Sequence, residues 1–314
     1  MRHIMVLAGG LSHERDVSLR SGRRVADALT RSGFEVDVRD VDQTLVGAIR
    51  TTRPEIVWPV LHGATGEDGA LRDVLVSLGI AYVGSSPASC HLTWDKPVAK
   101  ALLAAEGIST PAGVALSHAT FRELGAPALL EAIVDSLGLP LAVKPARGGS
   151  ALGLTIVRTA SDLPSAMVTA YAYGDMTLIE QFIAGTEVAI SMVEDADGQM
   201  RSLSAVEIVP DGGVYSYEAR YTAGATEFFT PARLSSAAAA SAAAASLLAY
   251  RALGHQHLSR VDLIIDADER PWFLEANVSP GMTETSLLPM ALGAAGLDTA
   301  EVYAGIVERA LKTT

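Results

Sequence analysis

Two apolar runs near the end of this chain, residues 258–265 and 272–278, restrict its fold more than any other feature. Each is of strand length, and the residues between them, Asp268 and Arg270-Pro271 among them, carry turn chemistry. On adjacent antiparallel strands, positions two apart share a face, so Asp262, Glu275 and Asn277 come together beside Arg260. Three hard oxygen donors next to a fixed guanidinium suit Mg²⁺ carrying a polyphosphate. The competing reading is a hairpin with ion-paired polar faces. It serves for any one of these residues. It serves less well for the set, because packed carboxylates without a cation are unfavourable.

The rest of the composition narrows the class. With 314 residues, 49% of them hydrophobic, there is room for two or three domains with cores of their own. The formal net charge of −12 argues against a nucleic-acid partner and against an anionic membrane surface, but leaves a nucleotide ligand open, since a few local lysines can serve it. Cys90 is the one cysteine, so an internal disulfide and a cysteine metal site are both excluded, which fits a cytoplasmic protein. The apolar part of residues 1–8 is too short for a signal peptide. The longest uncharged stretch, 234–250, is mostly Ala and Ser and falls short of the roughly 20 apolar residues of a membrane span, so it reads as a soluble helix.

Taken in order, residues 3–8 predict a buried strand running into Gly9-Gly10 and a helix to about Ser32, the start of an open α/β sheet. The glycines lack the spacing of a dinucleotide fingerprint. Residues 36–38, 56–60 and 82–84 predict further strands. The loop Leu61-His62-Gly63-Ala64-Thr65-Gly66-Glu67-Asp68-Gly69 precedes a helix over 70–78. Glu14 and His62 fall at the carboxyl edge of this sheet, where ligands collect, although a first-turn helix residue and a turn residue would also occupy those places. A helix is predicted from Lys96 to about Glu106, another over 121–137, and then a strand ending in Lys144. The following segment, Ala146-Arg147-Gly148-Gly149-Ser150-Ala151-Leu152-Gly153, is a Gly-rich hairpin whose backbone N–H groups can close over phosphate; it is not a Walker-A loop. Residues 162–172 predict a helix and 177–183 a strand. Glu180, Phe182, Ile183 and Glu187 surround a segment able to hold an adenosine, or form an ordinary edge strand. Residues 211–231 read as a long polar and aromatic loop, a lid carrying Arg220 and Tyr221. Helices over 235–253 and 298–311 complete the chain. Lys96, Lys144, the Gly-rich loop, the acidic set and Arg260 together ask for phosphoryl transfer.

At these residues the chain resembles the D-alanine–D-alanine ligases of the ATP-grasp superfamily, over nearly its whole length. The resemblance rests on Ser12-His13-Glu14-Arg15-Asp16-Val17-Ser18-Leu19, on Leu61-His62-Gly63 with Gly66-Glu67-Asp68-Gly69, on Asp95-Lys96, and on Lys144-Pro145 with Gly149-Ser150 and Gly153. It continues through Tyr217-Glu218-Ala219-Arg220-Tyr221, Arg260-Val261-Asp262, and Glu275-Ala276-Asn277 with Ser279-Pro280-Gly281-Met282-Thr283. It implies an α/β (α+β) ATP-grasp fold with an N-terminal open, Rossmann-like α/β domain. The domains expected are 1–93 for substrate binding, 94–184 with the phosphate loop, and 185–314 with the lid and the Mg²⁺ site.

The resemblance also implies roles. Glu14 would bind the ammonium of the first D-alanine, and Glu14, Ser150 and Tyr221 would form the hydrogen-bonded set that orders the site. Lys96, Lys144 and Arg220 would hold the phosphates of ATP, and Glu180, Phe182, Ile183 and Glu187 its adenosine. Asp262, Glu275 and Asn277 would hold Mg²⁺, with Mn²⁺ as a substitute. Arg260 and Gly281 would stabilise the tetrahedral intermediate, Ser286 and Leu287 would receive the second D-alanine, and His62 would lie near the substrate amines. The expected partners are D-alanine, ATP and a second copy of the chain in a homodimer, with no nucleic acid and no membrane. Several positions depart from the family pattern. Ala146, Gly148 and Ala151 leave fewer side chains to tie the phosphate loop down. Arg220 stands for a lysine, Gln181 for a lysine beside the adenine site, and Val278 for a threonine. Tyr221, where relatives that make an ester with D-lactate carry phenylalanine, favours an amine acceptor.

Overall fold

The computed structural model describes residues 2–313. Its first sheet is built as the opening apolar run predicts. Strand β1 (His3–Leu7) lies between β2 (Glu35–Arg39) and β3 (Ile56–Pro59), all parallel. Helix α1 (Arg15–Arg31) covers one face, and Gly22 lets it approach closely: a Cβ there would stand 2.4 Å from that of Ala8. Helices α2 (Leu45–Thr52), α3 (Ala64–Glu67), α4 (Ala70–Ser77) and α5 (Pro87–Trp94) follow. The fourth strand expected near Tyr82 shrinks to a single bridge, Val57 to Tyr82, because Gly84 (φ 114°) and Pro87 end the extended run at once.

Helix α6 (Lys96–Ala105) starts where the sequence predicts, capped by Asp95, whose carboxylate accepts the Val98 N–H at 3.3 Å. The second sheet is antiparallel, β4 (Gly113–Ser117), β7 (Met176–Gln181), β5 (Leu141–Pro145) and β6 (Thr155–Val157) in spatial order. Helices α7 (His118–Leu124), α8 (Ala126–Leu137) and α9 (Leu163–Tyr171) accompany it. The single helix expected over 121–137 is two, because Gly125 takes a left-handed φ of 77° between them.

The third sheet has six strands. β11 (Thr226–Phe229), β10 (Val206–Pro210), β8 (Thr186–Glu194), β12 (Leu258–Ile265) and β13 (Pro271–Asn277) lie in that order, and β9 (Met200–Ser202) also pairs with β8. The segment 211–231 is therefore not an unstructured loop: it contains α10 (Tyr217–Tyr221) and β11. The Ala-rich helix is α11 (Ser236–Ala252), with α12 (Leu287–Ala294) and α13 (Thr299–Thr313) closing the fold.

Strand β12 is buried along its whole length and alternates in function. Val261, Leu263 and Ile265 enter a core shared with α11 and with Ala99 and Leu103 of α6, while Arg260 and Asp262 turn to the opposite face. A second core joins the first sheet to the C-terminal helices, where Trp58 meets Tyr303 edge-on with ring centroids 5.3 Å apart. Among the described residues no helix is long and apolar enough to cross a membrane.

Candidate active site

The register between β12 and β13 sets the acidic face. Arg260 pairs with Asn277 and Asp262 with Glu275. A shift of one residue follows, so that Phe273 opposes Leu263 and Leu274 is the extra residue of a bulge. Strict alternation would put Phe273 and Glu275 on one face. The bulge instead sends Phe273 into the core and leaves Leu274 and Glu275 lining a cleft.

That cleft lies between the second and third sheets and continues to the first. Its larger part is a cavity of about 390 Å³ with apolar walls from Ala142, Ile156, Phe182, Ile183, Ile208 and Ile264. Lys144, Glu187, Arg220, Asp262 and Glu275 stand at its polar end. Lys96, Gly148, Gly149, Tyr215, Arg220 and Glu275 border both this part and a smaller one, lined by Glu14, His62, Ser150, Tyr221, Arg260, Gly281, Ser286 and Leu287. All the predicted site residues thus meet in one continuous space, which no single sheet encloses.

In the smaller part, Ser150 Oγ donates to Glu14 Oε1 and lies 2.8 Å from the Tyr221 hydroxyl, which in turn donates to the same Glu14 oxygen at 3.3 Å. Ser150 and Ala151 hold left-handed φ values of 53° and 55°, a strained turn for non-glycine residues. The loop is tied by Lys96, by Arg147 and by its own backbone, while residues 146, 148 and 151 offer no polar side chain for the purpose. Lys96 Nζ donates to the Gly148 carbonyl at 2.6 Å, Arg147 clamps Asp95 at 2.9 and 3.0 Å, and the backbone of Ala146 bonds to both Lys96 and Met176.

His62 is 4% exposed, and its Nδ1 sits 3.0 Å from the Ser279 carbonyl, which can only accept, so Nδ1 carries the proton. Burial holds this imidazole below its ordinary range, against the pull of Glu14. Glu67, from the same loop, accepts the Gly63 N–H at 2.9 Å. Burial first, and Glu14 second, push its carboxyl up to about 8. Gly281 fits closely over Ser286: a Cβ there would come within 2.7 Å of Ser286 Oγ, which also accepts the Thr283 N–H at 3.0 Å.

Charge is concentrated at the junction of the two parts. Arg260 and Asp262, 7% and 5% exposed, form a bidentate pair at 2.7 and 2.8 Å. Glu275 lies 3.3 Å from Lys96. Burial would raise its carboxyl, but Lys96, Lys144, Arg220 and Arg260 hold it down at about 2. Glu187 goes the other way: removal from water, with Asp262 and Glu275 nearby, pushes it up to about 7 despite Arg220. Lys144 bonds Glu180 Oε1 at 2.5 Å, and Lys100 bonds the other oxygen of that carboxylate. The Arg220 guanidinium lies 4.0 Å over the Tyr215 ring. Gln181 lines the cavity too, its side-chain amide donating to the Leu137 carbonyl at 2.9 Å.

The donor chemistry of this face fits a divalent cation delivered with phosphates. Asp262, Glu275 and Asn277 offer hard oxygens in register on one face of the cleft. Two carboxylates and an amide are few for a cation held by protein alone: among the described residues no group of three or more His, Cys, Asp or Glu side chains is placed to ligate one. Asp262 is bonded to Arg260, and Asn277 Oδ1 accepts the Ser279 N–H at 2.7 Å. The sequence assigns no role to Lys100, and it offers Glu67 and Tyr215 only as members of a motif and of the aromatic lid. Lys100 stands four residues after Lys96 on one helix, a spacing that could have drawn attention to it.

Known proteins match both chain and fold. The family described as D-ala D-ala ligase C-terminus matches residues 102–308. A D-alanine–D-alanine ligase of Bordetella petrii is 41% identical over 97% of this chain and 91% of its own length. One of Gloeobacter violaceus is 40% identical over 98% of this chain and 99% of its own. Among solved structures, the D-alanine–D-alanine ligase of Bacillus anthracis complexed with ATP superposes with a TM-score of 0.84 at 29% identity, covering 100% of this chain and 98% of that one. The VanG D-Ala:D-Ser ligase of Enterococcus faecalis gives 0.84 at 26%, covering 98% and 99%.

Proposed function

This chain belongs to the D-alanine–D-alanine ligase family, and from that premise we propose that it joins two D-alanines into D-alanyl-D-alanine, with ATP as the energy source, for peptidoglycan precursor synthesis. The observation that carries the reading is the single cleft in which Glu14, Ser150 and Tyr221 of one part meet Lys144, Glu187 and Glu275 of the other. The expected domains, 1–93, 94–184 and 185–314, each contribute to it.

Chemistry follows from the placing of charge. The larger cavity takes the adenosine between its apolar walls, with Glu187 toward the ribose, and Lys96, Lys144 and Arg220 hold the phosphates. Asp262, Glu275 and Asn277 are the residues that would hold Mg²⁺, or Mn²⁺ in its place, and the ion would neutralise charge on the phosphates. Glu14 anchors the ammonium of the first D-alanine, so that its carboxylate oxygen reaches the γ-phosphorus. ADP leaves, and a D-alanyl phosphate remains. The amine of the second D-alanine, received by Ser286 and Leu287, attacks the acyl carbon. Arg260 and the Gly281 N–H stabilise the oxyanion, and phosphate departs with the original carboxylate oxygen. Little covalent work falls to the protein; positioning and neutralisation do the catalysis. His62, neutral and buried beside Glu14, stands near the amines. The enzyme acts on small molecules only, in the cytoplasm, a reading supported by the net charge of −12 and the single cysteine; that it acts as a homodimer rests on the family resemblance alone.

Mixing the protein with ATP, Mg²⁺ and a panel of D-alanine, D-serine, D-lactate and L-amino acids, and following phosphate release, tests this. Release is expected with D-alanine alone as both substrates. Release that requires D-serine, D-lactate or an L-amino acid would replace the acceptor, and none at all would overturn the reading.

A further inference from the structure

Lys100 lies on α6 one turn beyond Lys96, its side chain 7% exposed, and lines neither part of the cleft. Its ammonium bonds one oxygen of Glu180, while Lys144 bonds the other at 2.5 Å. Glu180 itself is 2% exposed on β7, opposite Ala142 of β5, and Lys144 follows two residues later on the same face. One buried carboxylate thus lies between two ammonium groups, of which only Lys144 faces the cleft. Burial and Lys144 hold Lys100 down at about 8, which keeps it charged at neutral pH.

A buried carboxylate is tolerated only while paired. If Lys144 were its sole partner, drawing that ammonium toward a polyphosphate would strand the carboxylate, and the cleft would present no net charge at this point. With Lys100 present, the trio carries one net positive charge, and Glu180 stays paired wherever Lys144 goes. We infer that Lys100 is a positioning residue, the resident counter-ion of Glu180, which frees the Lys144 ammonium to be shared with nucleotide phosphates. The inference rests on the reading that this cleft binds ATP.

The test compares affinities for ATP and for adenosine, whose ratio isolates what the phosphates contribute. In Lys100→Met the ATP-to-adenosine ratio falls roughly tenfold, the size expected for weakening a charge-assisted contact, with adenosine itself unchanged. In Lys100→Met/Glu180→Gln, where no buried carboxylate competes for Lys144, the ratio returns to within about threefold of wild type. Glu180→Gln alone keeps the wild-type ratio or exceeds it, a reading that does not depend on the folding of Lys100→Met. An unchanged ratio in Lys100→Met, an equal loss of adenosine binding in that variant, a loss of the ratio that persists in the double variant, or a lowered ratio in Glu180→Gln would each overturn the inference. Wild-type protein that fails to bind ATP would overturn the ATP reading and this inference with it.

Discussion

Ser150 Oγ meets both Glu14 and Tyr221, residues 136 and 71 positions away in the chain, and this contact joins the first sheet, the phosphate loop and the lid. Its members do separable things. Glu14→Gln keeps the shape but removes the charge that holds an ammonium, so the KM for the first D-alanine should rise roughly tenfold while that for ATP stays put. A loss of ATP affinity of the same size would refute that role. Tyr221→Phe removes the hydroxyl that bonds Ser150, and with D-lactate supplied the share of ester over dipeptide should rise; an unchanged product ratio would count against it. At this scale the sequence was most legible where chemistry is carried by residue type: lysines, carboxylates and glycines in short motifs. It was least legible where a role comes from a distant contact. Lys100 depends on Glu180, 80 positions on, and Glu67 on burial beside Glu14. Neither dependence leaves a local signal.

Among the elements, the short helix of the lid carries one corner of the site, Tyr221. Helix α10 has five residues and takes its start from Ser216, whose hydroxyl accepts the Ala219 N–H at 3.3 Å. So short a helix has little propensity of its own, and the cap is worth about 1 kcal/mol. Ser216→Ala should therefore loosen Tyr221 and lower turnover several-fold without moving the thermal midpoint measurably, since α10 adds no fully buried side chain to a core. Equal activity in a steady-state assay would contradict this. The elements also show where pattern reading stops. Period-two alternation found β12 and its buried face, and the Ala-rich run found α11. Alternation alone could not find the bulge at Leu274, which moves Glu275 to the cleft, nor the strand β11 inside 211–231, which is fixed by pairing with β10 rather than by local preference.

Across the whole molecule the three sheets are held by buried polar links as well as by cores. His257 is one such link, 3% exposed: its Nδ1 accepts the Gly84 N–H at 2.9 Å, and its Nε2 lies 3.2 Å from the Thr313 hydroxyl. Burial holds its imidazole down at about 4, below the ordinary 6.5. Between those values the unfolded chain binds the extra proton and the folded one does not. Stability is therefore complete above pH 6.5 and is lost as pH falls toward 4, by up to roughly 3 kcal/mol from this group. His257→Asn, which tolerates the left-handed φ of 65° there, should be the less stable protein at pH 8 and lose less on acidification. Urea midpoints that fall in parallel for both proteins would show that His257 is not the sensor. The joining of distant parts by such contacts is what the sequence could not show, although the site they assemble was readable in pieces. An acyl phosphate intermediate fixes the path of one oxygen atom. With ATP and D-alanine labelled with ¹⁸O in its carboxylate, mass spectrometry should find D-alanyl-D-alanine and inorganic phosphate that has gained a single ¹⁸O atom, carried from the first D-alanine through the acyl phosphate. Phosphate free of label, or a product other than the dipeptide, would contradict it.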